Sequence, residues 1–380
     1  MAPTYAPPNL VLQRGAGSYV WDLEDHQYLD FTTGIGVNAL GHRHPKVQQA
    51  LKQQIELLWH CANQFYHPGH IEVCRKLCEV SFADRVFLSN SGTEAMEAAL
   101  KIARRHFWVQ GEDRTEFIGA IGGFHGRTMG ALSVTHNAKH RAGYDPLIPG
   151  ISHVPFNEVE ALASVLTPRT AAVIIEPVQG NSGVVVAAPG YLEAVRNLCD
   201  KAGCLLILDE IQTGIGRTGE WFAYQHTKIQ PDILTSAKAL GGSLPLGAML
   251  TTESVAQGFE VGVHGSTFGG NPLACATGLA TLKVIEEENL LENTQKLGDY
   301  FAERLNDLRS KTARIKEIRH QGLMLGVDLG TAAKPYQQAC RESGLLVTTA
   351  GGSALRILPP LNTTTAEIDQ ALAVLLRVLV

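Results

Sequence analysis

Short apolar runs alternate with helical patterns through the middle of this 380-residue chain, and this alternation limits the folds open to it. The apolar runs cover residues 85–89, 116–120, 171–176, 205–210 and 232–237, and the helical patterns cover residues 94–105 and 190–202. Apolar runs of this length separated by helices are typical of strands in a mainly parallel sheet that is covered by helices. The sequence therefore predicts an α/β protein.

The two ends of the chain have a different pattern. Residues 1–45 indicate a strand meander with a hairpin turn at 24–26. After a long helical stretch that begins near Leu273, short strand patterns follow at 322–329, 344–348 and 354–358, and a last helix begins at Thr365. We therefore predict two domains, a large α/β domain of residues 46–272 and a smaller α+β domain formed by residues 1–45 and 273–380.

Two opposite charges, Asp209 and Lys238, stand where apolar runs end. In open α/β sheets the carboxyl ends of the strands are where ligands bind, so the two charges suggest one site. An amine in a partly desolvated pocket loses its proton more readily and can form a Schiff base with an aldehyde, while an aspartate can pair with a pyridinium nitrogen. Taken alone, the two residues also fit a surface lysine and a helix-capping aspartate.

A small polar turn at residues 90–95 (NSGTEA) leads from the apolar run 85–89 into a helical pattern. Free backbone N–H groups and hydroxyls at such a turn suit a phosphate, although an ordinary helix cap with Glu94 in the first turn has the same sequence pattern. A phosphate site beside a Schiff-base lysine is what pyridoxal phosphate requires.

Arg127 follows a glycine loop, and Arg356 interrupts an apolar segment. A guanidinium in such a setting usually binds a carboxylate through two hydrogen bonds, although Arg356 also fits a surface position on an edge strand. Residues 214–219 (GIGRTG) match the dinucleotide-binding pattern, but no helix opens there, so we do not expect NAD. His42, His44 and His125 lie in glycine loops without a nearby acidic or cysteine partner, so we expect no metal site.

Charge and cysteine content exclude several classes of partner. The net charge is −5 and no basic stripe is present, so nucleic-acid binding is not expected. The seven cysteines are scattered and odd in number, which fits a reducing compartment. No signal-peptide pattern and no run of about 18 apolar residues occurs, so we expect a soluble, cytoplasmic protein without membrane contact.

Seven segments carry a resemblance that spans nearly the whole chain: 41–45 (GHRHP), 90–95 (NSGTEA), 123–128 (GFHGRT), 176–180 (EPVQG), 208–219 (LDEIQTGIGRTG), 237–242 (AKALGG) and 265–272 (GSTFGGNP). Together they resemble the class III, or ornithine-type, aminotransferases, which are pyridoxal-phosphate enzymes of fold type I. The resemblance implies a homodimer that transfers the δ-amino group of N-acetylornithine to 2-oxoglutarate, giving the semialdehyde and glutamate, in arginine biosynthesis. Succinylornithine, ornithine, 4-aminobutyrate and a carrier-linked lysine remain as alternative donors.

The resemblance also implies a role for individual residues. Lys238 would hold the cofactor and move the proton, and Asp209 would pair with the ring nitrogen. Cofactor contacts are implied for Ser91, Gly92 and Thr93 at the phosphate, Phe124, Ile211 and Gln212 at the ring, and Thr267 from the neighbouring subunit. Substrate contacts are implied for Ser266, for Arg127 at the donor's α-carboxylate, and for Arg356 at the α-carboxylate of 2-oxoglutarate and glutamate.

One position departs from the family pattern, because Asn181 replaces the usual glutamate. In ornithine-type relatives that glutamate is thought to mask the arginine that corresponds to Arg356. A neutral amide would mask it more weakly, so we expect a relaxed choice of donor. A mutase or decarboxylase on the same fold, and a catalytically silent regulator, remain as other classes; Arg356 argues against the first, and the intact Lys238 and Asp209 argue against the second.

Overall fold

The computed structural model describes residues 2–5 and 10–380. Within these residues seventeen strands, β1 to β17 in chain order, occupy Leu12–Ala16, Tyr19–Asp22, Gln27–Asp30, Arg85–Ser89, Glu116–Ala120, Ile151–Val154, Thr170–Ile175, Val178–Gln179, Val185–Val186, Leu205–Asp209, Ile233–Ser236, Gly247–Thr251, Glu317–Gln321, Met324–Asp328, Leu345–Leu346, Thr348–Ala350 and Ala354–Ile357. The same residues form thirteen helical segments, α1 to α13, at Thr33–Gly36, Pro45–Ile55, Pro68–Glu79, Gly92–Trp108, Met129–Val134, Ala138–Arg141, Val159–Val165, Tyr191–Ala202, Glu253–Ala256, Pro272–Glu287, Leu290–Arg309, Lys334–Glu342 and Thr365–Leu379.

A seven-stranded sheet in the order β4-β12-β11-β10-β7-β5-β6 forms the centre of the molecule. All of its strands are parallel except β12, which is antiparallel to both β11 and β4. The predicted α/β class with a mainly parallel sheet is therefore confirmed. The sequence did not predict β12, which follows β11 after a connection too short for the helical crossover of a parallel pair.

The order of strands brings distant residues to one edge of this sheet. The parallel strands β10 and β11 are neighbours, and Asp209, the last residue of β10, is paired in register with Thr235. Lys238 lies in a 3₁₀ turn that begins two residues after the end of β11. Helix α4 begins three residues after the end of β4. The carboxyl ends of β4, β10 and β11 therefore bring together Asp209, Lys238 and the polar turn at residues 90–95.

The chain termini build two further four-stranded sheets, β1-β2-β3-β15 and β13-β14-β17-β16. The hairpin at 24–26 is confirmed, because β2 and β3 pair antiparallel on either side of it. A separate group of buried side chains from both termini, which includes Leu29, Phe301 and Leu375, packs between these elements. This grouping supports the proposed division into two domains, whose boundaries stay a prediction.

Across residues 2–5 and 10–380, no helix combines the length and the apolar character that crossing a bilayer requires.

Candidate active site

A cavity of about 460 Å³ opens at the carboxyl ends of β10 and β11 and at the start of α4. Nine of the residues singled out from the sequence line it: Ser91, Gly92, Thr93, Phe124, Arg127, Asp209, Ile211, Gln212 and Lys238. The fold therefore gathers most of the predicted site from segments that are far apart in sequence. His125, Glu176 and Val37 also line the cavity, and the sequence analysis did not name them as site residues.

The Lys238 amine lies among charged groups of both signs. Burial and, to a smaller extent, the nearby guanidinium of Arg356 lower its pKa to about 8, against the opposing charges of Asp209 and Glu176. A substantial fraction of the amine is therefore unprotonated at mildly alkaline pH. An unprotonated amine in an enclosed cavity is a nucleophile suited to a carbonyl carbon.

Asp209 is 4% exposed and is held by several donors. Its Oδ2 lies 2.7 Å from Nδ1 of His125, and its Oδ1 accepts from the Ile211 N–H at 3.1 Å and from the Thr235 hydroxyl at 3.3 Å. Burial opposes protonation of His125, but the hydrogen bond and charge of Asp209, together with Glu176, raise the pKa of the imidazole above its usual value. These contacts hold the Asp209 carboxylate in a fixed orientation at the cavity.

His125 has no acidic residue close to it in sequence, and for that reason no metal site was expected there. Its acidic partner is Asp209, 84 positions away, and the sheet brings the two together. The short glycine motif around His125 could have marked it as a site residue, but the sequence could not show that Asp209 is its partner.

The first turn of α4 has the features of an anion site. Ser91 caps the helix by accepting from the Glu94 N–H at 3.3 Å, so the predicted cap is present. The backbone N–H groups of Gly92 and Thr93 have no hydrogen-bond partner among the described residues, and both residues line the cavity. Because free N–H groups at a helix N-terminus favour negative charge, the cavity can accept a phosphate here.

Close packing beside that turn requires a glycine. A Cβ atom placed on Gly92 would stand 2.7 Å from Cδ1 of Ile211, which is closer than real Cβ contacts allow. On the neighbouring loop, Phe124 is held by its backbone N–H, which donates to Oε1 of Glu176 at 2.8 Å. Ile211 and Phe124 thus supply apolar surface to the same cavity as the anion site.

Arg356 lies on the interior strand β17 and is 3% exposed, so the alternative of a surface position on an edge strand is wrong. Its Nη1 donates to Oδ1 of Asn181 at 2.8 Å, to Oε1 of Gln212 at 3.0 Å and to the Gly180 carbonyl at 3.2 Å. Its Nε donates to the Thr348 hydroxyl at 3.1 Å. Every acceptor is a neutral oxygen, so the guanidinium has no carboxylate partner among the described residues.

Four residues from the sequence analysis do not line the cavity in this chain: Ser266, Thr267, Asn181 and Arg356. Arg356 and Asn181 reach it through Gln212, whose side chain joins them to the lining. Ser266 accepts a hydrogen bond from Nδ2 of Asn90 at 3.2 Å, and Thr267 is exposed. Arg127 is also exposed, and its guanidinium lies 5.6 Å from the centre of the Phe124 ring.

Within the part of the chain that the structure describes, no three His, Cys, Asp or Glu side chains are grouped so that they could hold a metal ion.

The sequence profile of the family Aminotransferase class-III matches residues 1–379. The chain belongs to the class III aminotransferases. This class III aminotransferase is 46% identical, over 98% of its length and 95% of the relative's, to the acetylornithine aminotransferase of Caldanaerobacter subterraneus subsp. tengcongensis. The acetylornithine aminotransferase of Aquifex aeolicus is 44% identical over 99% of this chain and 98% of its own.

Among solved structures, an ornithine aminotransferase from Toxoplasma gondii, described as having partial occupancy of PLP at its active site, is similar to this class III aminotransferase with a TM-score of 0.95. The two are 36% identical, and the match covers 100% of this chain and 91% of the other. These likenesses confirm the family and fold type I.

Proposed function

We propose that this enzyme transfers the δ-amino group of N2-acetyl-L-ornithine to 2-oxoglutarate, giving N-acetyl-L-glutamate 5-semialdehyde and L-glutamate. The observation that carries this proposal is a shared cavity: the low-pKa amine of Lys238 and the side chain of Gln212 both line it, and Oε1 of Gln212 accepts from the buried guanidinium of Arg356, which has only neutral partners. Such a site handles amines and carboxylates together. The near full-length similarity to acetylornithine aminotransferases supports the choice of donor. We place the reaction in arginine biosynthesis in the cytoplasm, and the seven free cysteines agree with a reducing compartment.

Pyridoxal 5'-phosphate fits the residues that are present. The free N–H groups at the start of α4 suit its phosphate, the apolar side chains of Phe124 and Ile211 suit its ring, and the buried Asp209 carboxylate suits a protonated ring nitrogen. Ser91, Gly92, Thr93, Gln212 and Lys238 complete the proposed set in this chain. When bound, the cofactor supplies an aldehyde that takes up the amino group and a ring that withdraws electrons.

The residues of the chain provide binding and proton transfer. Lys238 would hold the cofactor through its aldehyde group, and the Lys238 amine would take a proton from the reacting carbon of the amino donor. Asp209 would set its carboxylate against the ring nitrogen, and His125 fixes the orientation of that carboxylate through their 2.7 Å contact. The amine is suited to this work because its pKa of about 8 lies near the pH of the cell.

Two arginines would bind the carboxylates of the substrates in turn. We assign Arg127 to the α-carboxylate of the amino donor, since it is exposed beside Phe124 at the cavity. We assign Arg356 to the α-carboxylate of 2-oxoglutarate and glutamate, because a buried guanidinium with neutral partners gains most from an anion. Such a carboxylate must share the Arg356 guanidinium with Asn181 or displace Asn181 from it.

The proposed active unit is a homodimer with shared active sites. In this proposal Thr267 completes the phosphate site of the partner, and Ser266 lies near the substrate. Large apolar side chains exposed on residues 57–66 support an interface: Leu57 is 78% exposed, Trp59 63%, Phe65 68% and Tyr66 87%.

A half-reaction tests the proposal. N-acetylornithine, succinylornithine, ornithine and 4-aminobutyrate are added separately to the cofactor-loaded enzyme, and the loss of its visible absorbance is followed. Rapid loss with N-acetylornithine alone, reversed by 2-oxoglutarate, is the expected result. Turnover of donor without a keto acid would indicate a mutase or decarboxylase, and a protein that gains no visible absorbance with the cofactor would be a silent regulator.

A broader ω-aminotransferase is the second candidate, and Asn181 is the observation that favours it. The amide gives Arg356 a neutral partner, so no carboxylate of the protein competes with that of an incoming substrate. Comparable loss of absorbance with several donors, including ornithine, 4-aminobutyrate or a carrier-linked lysine, would favour this candidate.

A further inference from the structure

Glu176 is a buried carboxyl group that the mechanism above does not use. It follows strand β7 directly, is 5% exposed, and lines the same cavity as Lys238. Its Oε1 accepts one hydrogen bond, from the Phe124 N–H at 2.8 Å. No other described residue donates to it, so Oε2 keeps its hydrogen-bonding capacity for the cavity.

Glu210 provides a natural comparison, because it is also buried and stands next to Asp209. Its carboxylate accepts from the Thr213 hydroxyl at 2.6 Å, the Ala223 N–H at 2.7 Å and the Tyr224 N–H at 2.8 Å. It does not line the cavity. Burial raises the pKa of both carboxyl groups to about 7, yet only Glu176 combines this with a free oxygen toward the site.

Four charged groups face Glu176: Lys238, Asp209, His125 and Arg356. Its negative charge raises the pKa values of Lys238, His125 and Arg356, whereas the charge of Asp209 makes ionisation of Glu176 harder. Glu176 is therefore the second carboxyl of the cavity, after Asp209, that can balance the cations of the site.

We propose that Glu176 is a positioning residue for the proton of Lys238: its cavity-facing carboxylate controls how tightly the Lys238 amine holds that proton. The inference rests on the proposed function, because it concerns the amine that would hold the cofactor. Its hydrogen bond to the Phe124 N–H is a separate, structural role in holding the aromatic loop.

The sign of the effect follows from the charges. As pH rises through about 7, Glu176 loses its proton, and the new negative charge stabilises the protonated form of Lys238. Without that charge, burial and Arg356 act on Lys238 with only Asp209 opposing them, so the amine should release its proton at lower pH. An opposite charge within a few ångströms usually moves a pKa by about one unit or more.

Glu176→Gln tests the charge alone, because glutamine keeps an oxygen for the Phe124 N–H. The readout is the pH midpoint of the visible absorbance change of the cofactor-loaded enzyme. We expect the midpoint to fall by about one pH unit in Glu176→Gln. In Glu176→Asp, which keeps the charge but shortens the reach to Phe124, the midpoint should stay close to that of the unmodified enzyme.

Glu210→Gln is the matched control. It removes a buried carboxyl group with a similar pKa. The new amide N–H group would face backbone or hydroxyl donors, so the unfolding temperature should fall while the midpoint stays unchanged. Should Glu176→Gln not fold, Glu176→Leu is a second neutral variant with the same expected shift.

The proposal is overturned if the neutral variants keep the midpoint of the unmodified enzyme, or if Glu176→Asp shifts it and Glu176→Gln does not. The second result would mean that Glu176 acts only through its hydrogen bond with the Phe124 N–H, which holds the loop. An unmodified enzyme that gains no visible absorbance with the cofactor would instead contradict the proposed function, so the two failures can be told apart.

Discussion

Asn181→Glu is the substitution that most directly tests how this site distinguishes its substrates. In the structure Oδ1 of Asn181 accepts from Nη1 of Arg356 at 2.8 Å. A glutamate at this position would bring a carboxylate within reach of a guanidinium that is 3% exposed and otherwise has only neutral partners. A substrate carboxylate that needs Arg356 would then have to displace a charged competitor rather than an amide.

The size of the effect follows from the difference between the two hydrogen bonds. The bond from Arg356 to Asn181 already has one charged partner, a class that contributes about 1.5–3 kcal/mol, and a carboxylate in place of the amide adds the attraction of a second charge. A direct ion pair near 4 Å is worth about 4 kcal/mol at an intermediate dielectric, but burying the new carboxylate offsets much of this. The net masking of Arg356 should be about 1–2 kcal/mol, which corresponds to a roughly 5- to 30-fold loss of affinity for a carboxylate bound there.

Two half-reactions separate the effects in a stopped-flow experiment. With glutamate, which we assign to Arg356, the apparent affinity of Asn181→Glu should fall by about tenfold. With N-acetylornithine, which we assign to Arg127, it should change little, so the ratio of ω-amine to α-amine turnover should rise. Asn181→Gln has the same length without the charge and should behave like the unmodified enzyme. An unchanged ratio in Asn181→Glu would refute the reasoning.

Three further predictions concern charge, packing and assembly. Arg356→Gln removes a cation that lowers the pKa of Lys238, so the pH midpoint of the cofactor's visible absorbance should rise, as a spectroscopic titration can check. Gly92→Ala places a Cβ 2.7 Å from Ile211 and should weaken cofactor binding at least about tenfold in an equilibrium titration, with little loss of unfolding temperature. Trp59→Ser removes a large exposed apolar side chain and should shift the proposed dimer toward monomer in sedimentation velocity at low protein concentration.

Much of the central fold could be predicted because its strands are buried on both faces. Strands β7, β10 and β11 are buried at every position, so each appears in the sequence as an uninterrupted apolar run. Strand β12 is equally buried, but only a 3₁₀ turn and a short loop with Gly242 and Pro245 separate it from β11, so the alternation with longer helices that identified the others was absent. Residues 247–251 are therefore apolar enough for a strand, but no helical pattern before them marks where the strand begins.

The site residues differ in the same way in how far they can be predicted. Some can be recognised from their neighbours in sequence, whereas others are recognised only from the partners that the fold brings to them. Asp209 and Lys238 could be selected because a charge that ends a buried run needs a reason to be there. His125 and Glu176 could not, since their partners lie 84 and 52 positions away and are set by the order of strands in the sheet. Sequence alone identified the chemistry of the amine, whereas the charges that set its proton affinity depend on the assembled sheet.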